Sequence, residues 1–148
     1  MKGRHLVTGG AGFIGSAYVR RLLRDYDEVR GVTVVDKLTY AGNLANLASV
    51  MDDPRLRFVQ GDVCDAALID ELMRGQDFVV HFAAESHVDR SIGAAARFVT
   101  TNVAGTQTLL DAALRHEVET FVHVSTDEVY GSIEAGSWEE TQPLDPSS

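Results

Sequence analysis

The chain is short of cysteine, lysine, proline and tryptophan. A single cysteine, Cys64, excludes a disulfide framework and a multi-cysteine metal site. No run approaches the roughly 18 consecutive apolar residues that a transmembrane helix requires, so no membrane partner is expected. The chain opens Met-Lys-Gly-Arg-His and should be in a strand by Leu6, which leaves no room for a signal peptide. A cytoplasmic protein is the expectation. Positive charge is scarce: 13 basic against 22 acidic residues give a net charge of -9, and Lys2 and Lys37 are the only lysines. Nucleic acid and anionic membrane both call for a positive footprint, so neither is expected as a main partner. Residues 117–148 carry eight acidic side chains and no Lys or Arg, which reads as a solvated acidic surface.

What is present describes an ordinary globular domain. The 148 residues are 45% apolar and 24% charged, which excludes disorder as the main state. A chain of that size hides about two-thirds of its unfolded surface. Short β-rich runs alternate with helix-like segments. Strands are expected at His5 to Thr8, Val32 to Asp36, Arg57 to Gln60, Phe78 to Ala83 and Phe121 to Ser125. Each is a mostly apolar run without strict alternation, as in parallel strands covered on both faces.

Helices are expected between them. Phe13 to Arg24 sets Ile14, Tyr18 and Leu22 on one face. Leu44 to Met51 repeats Leu44, Leu47 and Val50 or Met51. Asp65 can cap a helix that turns Leu68, Ile69, Leu72 and Met73 inward and ends at Gly75. Thr101 to His116 carries apolar residues on more than one face. The fold expected is α/β: a Rossmann-type, doubly wound parallel sheet with helices on both faces, truncated after about five strands. Ser132 to Ser148, with Gly136, Pro143 and Pro146, reads as a loop. Residues 1–148 are therefore expected to be one incomplete domain, a piece of a longer chain.

The strongest local motif is Thr8-Gly9-Gly10-Ala11-Gly12-Phe13-Ile14-Gly15, between a strand and a helix. Gly9, Gly12 and Gly15 fit Gly-x-x-Gly-x-x-Gly. Such glycines permit a tight turn and let backbone amides approach a pyrophosphate at the helix N-terminus. Asp36 closes the next strand, 21 residues after Gly15. Its carboxylate can accept from ribose hydroxyls and would repel a 2′-phosphate, which favours NAD over NADP. Lys37 softens that preference, because it could neutralise a phosphate. Asp62 could take the adenine amino group or simply cap a turn. Ala83 and Ala84 are small where a cofactor needs room, or are ordinary core.

Four runs together resemble the extended short-chain dehydrogenase/reductase family. They are the Gly9-Gly12-Gly15 turn; Asp36-Lys37-Leu38-Thr39-Tyr40-Ala41-Gly42-Asn43; Gly61-Asp62; and His81-Phe82-Ala83-Ala84-Glu85-Ser86-His87-Val88-Asp89-Arg90-Ser91. Within that family, Ser125-Thr126-Asp127-Glu128-Val129-Tyr130-Gly131 is similar to the dTDP-glucose 4,6-dehydratases. The resemblance implies NAD as cofactor and a nucleotide sugar, dTDP-glucose, as substrate. It places Phe13 and Ile14 along the pyrophosphate. Asp36, Lys37, Leu38 and Thr39 would hold the adenine ribose, and Asp62 with Val63 the adenine. Phe82, Ala83, Ala84 and Ser86 would border the nicotinamide, Ser86 would also face the sugar, and Thr101 would touch the cofactor. Thr126 would bind the hexose, Asp127 would be the general acid and Glu128 the general base. Adjacent carboxyl groups repel and burial penalises charge, so one of that pair should protonate more readily. Relatives also use the Thr101 to His116 helix between subunits, so a homodimer is expected.

The family's Tyr-x-x-x-Lys pair is expected after Ser148; neither Tyr40 nor Tyr130 has a Lys four residues on. An epimerase or decarboxylase of the family, or a non-catalytic nucleotide-binding module, stays open as an alternative. His81 reads as a hydrogen-bonded core histidine. His87 and Asp89 lack further ligands at a metal's usual spacing, so no metal is expected.

Overall fold

The computed structural model describes residues 2–87 and 95–147. Five parallel strands form one sheet in the order β3-β2-β1-β4-β5. They are β1 (Gly3–Thr8), β2 (Val29–Asp36), β3 (Leu56–Gln60), β4 (Phe78–His81) and β5 (Thr120–His123). The order reverses direction between β1 and β4, and a crevice opens at such a switch point beyond the strands' C-terminal ends.

Helices lie on both faces, as the continuous apolar strands require. Along β1, Leu6 and Val7 face opposite ways. Val7 joins Val34, Val19, Leu22 and Leu23 beneath α1 (Phe13–Asp25), with Leu47 of a short 3₁₀ helix (Leu44–Val50). Leu6 joins Val35, Val79, Ile69 and Leu109 beneath α2 (Ala66–Met73) and α3 (Thr106–Arg115). The doubly wound sheet inferred from the sequence is therefore present. Asp65 caps α2 by accepting from the amides of Ala67 and Leu68, both at 3.1 Å. Ile69, Leu72 and Met73 of that helix are buried, and Gly75 follows with φ +70°.

Several elements differ from expectation: β2 begins at Val29 rather than Val32, and β5 ends at His123 rather than Ser125. The Leu44 to Met51 helix is a 3₁₀ helix, started by Asn43, whose side chain accepts from the Ala45 amide at 2.9 Å. The helix expected from Thr101 starts earlier: residues 95–98 are α-helical and run through a π-helical segment (Val99–Gly105) without a break into α3. A side chain at Gly105 would press on Val63 Cγ2 at 2.7 Å, so this wide turn crosses close over the loop after β3. Strand β4 ends at His81 rather than Ala83, because the Phe82 and Ala83 amides turn to the carbonyl and hydroxyl of Thr8 at 3.1 and 3.2 Å.

Candidate cofactor cleft

The glycine turn leaves β1 and doubles back on itself. Gly9 has φ +66°, and a Cβ there would stand 2.7 Å from the Ala83 amide nitrogen. A Cβ at Gly15 would strike the Gly9 carbonyl. Both glycines are therefore demanded by conformation and by close approach. Gly12 is the N-cap of α1 and supplies no capping side chain, so the first-turn amides are directed outward. Phe13 and Ile14, on that first turn, are exposed.

The turn is braced from the loop after β2. Asp36 is buried and accepts from two amides, Ala11 at 2.9 Å through Oδ2 and Leu38 at 2.8 Å through Oδ1. The Ala11 carbonyl in turn accepts from the Asn43 amide at 3.0 Å and from Asn46 Nδ2 at 2.8 Å. A Cβ at Gly42 would lie 2.6 Å from Asp36 Oδ1, so the loop closes tightly around the carboxylate. At one edge of the cleft, Lys37 Nζ pairs with Asp62 Oδ2 at 2.5 Å. Burial alone would raise the Asp62 carboxyl; hydrogen bonds from Lys37 and the Cys64 amide outweigh it and hold the pKa below the usual value. The same hydrogen bond raises the Lys37 ammonium.

These edges enclose a cleft whose solvent-sized interior measures about 120 Å³. Gly9 and Gly12 line it from the turn, and Asp36, Lys37 and Thr39 from the β2 loop. Asp62 and Val63 line it beyond β3; Phe82, Ala83 and Ala84 line it beyond β4, with Thr101 of the π-helical segment. Five expected contacts stand elsewhere. Leu38 has φ +55°, which turns its side chain onto the core under α1. Gly15 packs on the turn itself, Phe13 and Ile14 lie outside the lining, and Ser86 is exposed beyond it. Gly42, Gly61 and Glu85 also line the cleft. Their signal was in the sequence, in the two glycines that close the loops after β2 and β3. Glu85 accepts from the Tyr40 hydroxyl at 3.2 Å, and the Tyr40 and His87 rings lie 5.1 Å apart, so the loops after β2 and β4 meet above the opening. Val88, Asp89, Arg90 and Ser91 lie outside the described residues.

Thr126, Asp127 and Glu128 follow β5 at the same sheet edge. Thr126 caps a short 3₁₀ helix (Asp127–Tyr130), accepting from the Glu128 amide at 3.2 Å and donating to Asp127 Oδ1 at 3.2 Å. All three are exposed and none lines the cleft. The expected burial of the carboxyl pair is thus not found in this chain, because nothing among the described residues covers it. Among the described residues no group of three or more His, Cys, Asp or Glu side chains could hold a metal ion. No helix among them is long and apolar enough to cross a membrane.

A parallel sheet with a glycine-lined turn at its switch point, and an acid ending the neighbouring strand, defines a Rossmann-type dinucleotide-binding fold. The model of the GDP-mannose 4,6 dehydratase family matches residues 6–148, and the chain belongs to that family. It is 58% identical over 148 residues to a dTDP-glucose 4,6-dehydratase of Streptomyces niveus, and 64% identical over 147 residues to one of Streptomyces antibioticus. Those alignments cover 98% and 97% of this chain. The crystal structure of DesIV, a dTDP-glucose 4,6-dehydratase of Streptomyces venezuelae with NAD and TYD bound, superimposes with a TM-score of 0.93 at 63% identity. That match covers 97% of this chain and 45% of DesIV. The chain spans 44% and 43% of the length of the two curated relatives.

Proposed function

We propose that this chain is the NAD-binding portion of a dTDP-glucose 4,6-dehydratase, an enzyme that converts dTDP-glucose to dTDP-4-keto-6-deoxyglucose with loss of water. The observation that carries the reading is the Asp36 brace. One carboxylate ties the glycine turn to the β2 loop and still faces the cleft with acceptor capacity left for ribose hydroxyls. The residues fit NAD: the cradle at Gly9 and Gly42 has no room for a Cβ, and a buried anion at Asp36 opposes a 2′-phosphate. Lys37 pairs with Asp62, which competes with a 2′-phosphate for that cation.

When bound, NAD supplies the oxidation at C4 of the hexose and the later reduction at C6. This chain's residues hold the cofactor and supply the acid–base pair, while the Tyr-x-x-x-Lys pair expected after Ser148 serves the hydride step. The glycine turn and the first-turn amides of α1 hold the pyrophosphate, joined by Phe13 and Ile14. Asp36, Lys37 and Thr39 hold the adenine ribose, and Asp62 with Val63 the adenine. Phe82, Ala83, Ala84, Ser86 and Thr101 border the nicotinamide. Thr126 binds the hexose; Glu128 takes the C5 proton, acidified by the C4 ketone, and Asp127 protonates the C6 hydroxyl as it leaves. The protein works in the cytoplasm as a homodimer. Val99, Val103, Leu110 and Leu114 form an exposed apolar stripe along the π-helical segment and α3, which supports pairing there.

In the complete protein, Glu128→Gln should slow solvent-deuterium exchange at C5 by about a hundredfold or more. Unchanged exchange would remove Glu128 from the base's role. The exposure of Asp127 and Glu128 favours one second reading, a nucleotide-binding module without catalysis. A complete protein that binds NAD yet forms no alkali-absorbing 4-keto-6-deoxy sugar would establish it.

A further inference from the structure

Behind the cleft lies a line of polar groups that the proposed chemistry does not use. His81, the last residue of β4, is 1% exposed. Its Nδ1 lies 2.6 Å from the Thr8 hydroxyl at the end of β1, and its Nε2 lies 3.0 Å from the Thr106 hydroxyl at the start of α3. Burial, with the His123 ring beside it, lowers the imidazole pKa to about 4, so the ring is neutral near pH 7.

Every proton in this line has one possible place. The Thr106 hydroxyl lies 2.7 Å from the Asn102 carbonyl. A carbonyl only accepts, so that hydroxyl donates to it. Having spent its one hydrogen, Thr106 Oγ1 must accept from His81, which places the ring proton on Nε2. Nδ1 is then bare and accepts from the Thr8 hydroxyl. Thr8 Oγ1 in turn accepts from the Ala83 amide at 3.2 Å. The direction is continuous from Ala83 through Thr8, His81 and Thr106 to the backbone of Asn102.

Asn102 carries the line back to the cleft. Its Oδ1 accepts from the Glu85 amide at 2.8 Å and its Nδ2 donates to the Glu85 carbonyl at 2.9 Å. The strap after β4 is therefore held at Ala83 by one end of the line and at Glu85 by the other. Between them Ala84 lines the cleft, and the Ala83 backbone sits against Gly9.

We infer that His81 and Thr106 are positioning residues of the cofactor cleft: a one-directional hydrogen-bond line, with His81 fixed as its Nε2–H tautomer, sets the distance between the glycine turn and the strap after β4. Thr106 and His81 do not line the cleft, so any effect on its ligand passes through the strap. The inference rests on the NAD reading only for its affinity measurement.

The test compares Thr106→Val, which removes the hydroxyl at constant shape, with Thr106→Ser, which keeps it, in the complete protein. Nitrogen-15 NMR of the wild-type His81 ring should show Nε2 protonated and Nδ1 bare at pH 7. Thr106→Val should mix the tautomers, speed hydrogen exchange at the Glu85 amide, and weaken NAD binding about fivefold to tenfold, the worth of one buried hydrogen bond. Thr106→Ser should stay within about twofold of wild type, since the hydroxyl remains. A wild-type ring protonated on Nδ1 overturns the inference, whatever the variants do. So does a folded Thr106→Val with wild-type exchange at Glu85 and wild-type NAD affinity. A wild-type protein that fails to bind NAD ends the function proposal instead, and the tautomer and exchange results still decide the line of bonds.

Discussion

Strands β1 and β5 run parallel in one sheet and live in different surroundings. In β1, His5 through Thr8 are all buried, with β2 on one side and β4 on the other. Strand β5 is bonded to β4 alone among the described residues, and its Val122 and the following Val124 are 44% and 39% exposed. A parallel sheet normally covers both faces, so an apolar strand in water is a surface built to be packed against. The glycine turn leaves the first strand and is pinned by Asp36, Asn43 and Asn46. The Thr126–Glu128 segment leaves the second and is held by its own Thr126 cap. The comparison separates two tasks. The cofactor cleft is assembled by groups within this chain, whereas the carboxyl pair is exposed and lines no part of it.

The sharpest way to break that contrast is to damage the assembled half. Gly9→Val puts a β-branched side chain at φ +66° against the Ala83 backbone. It should cost about 3 kcal/mol of stability or more and abolish NAD binding, read by urea titration and calorimetry. A folded variant with normal affinity would mean that the turn is not the cradle. Next in size is a matched pair of truncations. Ile69→Ala, in the core under α2, should cost about 2–5 kcal/mol, while Val122→Ala on β5 should cost less than about 1 kcal/mol. Equal losses would show that β5 is as well packed as the core under α2.

The third test is pH. His81 has a folded pKa near 4, below its ordinary 6.5, so the unfolded chain binds the extra proton between those values. Its contribution to stability is complete above about pH 6.5, falls as the pH drops towards 4, and is flat below, with a ceiling of about 3 kcal/mol. Asp62 and Asp77, whose pKa values lie below the ordinary 3.8, lose their contributions only at lower pH, so the two windows separate. His81→Asn should flatten the upper window in urea titrations; an unchanged slope there would assign it to another group.

Much of this was legible in the residues, for physical reasons that differ along the chain. The five strands could be read because apolar, β-branched runs report burial on both faces, and α2 because Asp65 and Gly75 mark its ends. His81 could be read as core because a lone histidine inside an apolar strand must be hydrogen-bonded. The π-helical turn at Val99–Gly105 could not, since it depends on Gly105 crossing over Val63, a contact between distant segments. Nor could the setting of Leu38, whose positive φ turns a half-buried side chain against the core under α1. The pairing of Lys37 with Asp62 was hidden for the same reason, as 25 residues separate two groups that meet across neighbouring strand ends.

That pair supplies the smallest expected effect. From sequence, Lys37 could have been a cation waiting for a 2′-phosphate. In the fold its ammonium already serves Asp62, and both side chains are partly open to solvent, 60% and 32% exposed. Such a pair is worth less than about 1 kcal/mol, because water and salt screen it. Lys37→Ala should therefore change stability by no more than that, and should leave the ratio of NAD to NADP affinity within about twofold of wild type, since an exposed pair carries so little energy. If the discrimination belongs to Asp36, which is buried and bonded to two amides, Asp36→Asn should narrow the ratio while Lys37→Ala does not. A Lys37→Ala variant that loses residual NADP binding selectively would show the ammonium leaving Asp62 for the phosphate, and would move the loop after β2 from the braced half of the molecule to the adaptable one.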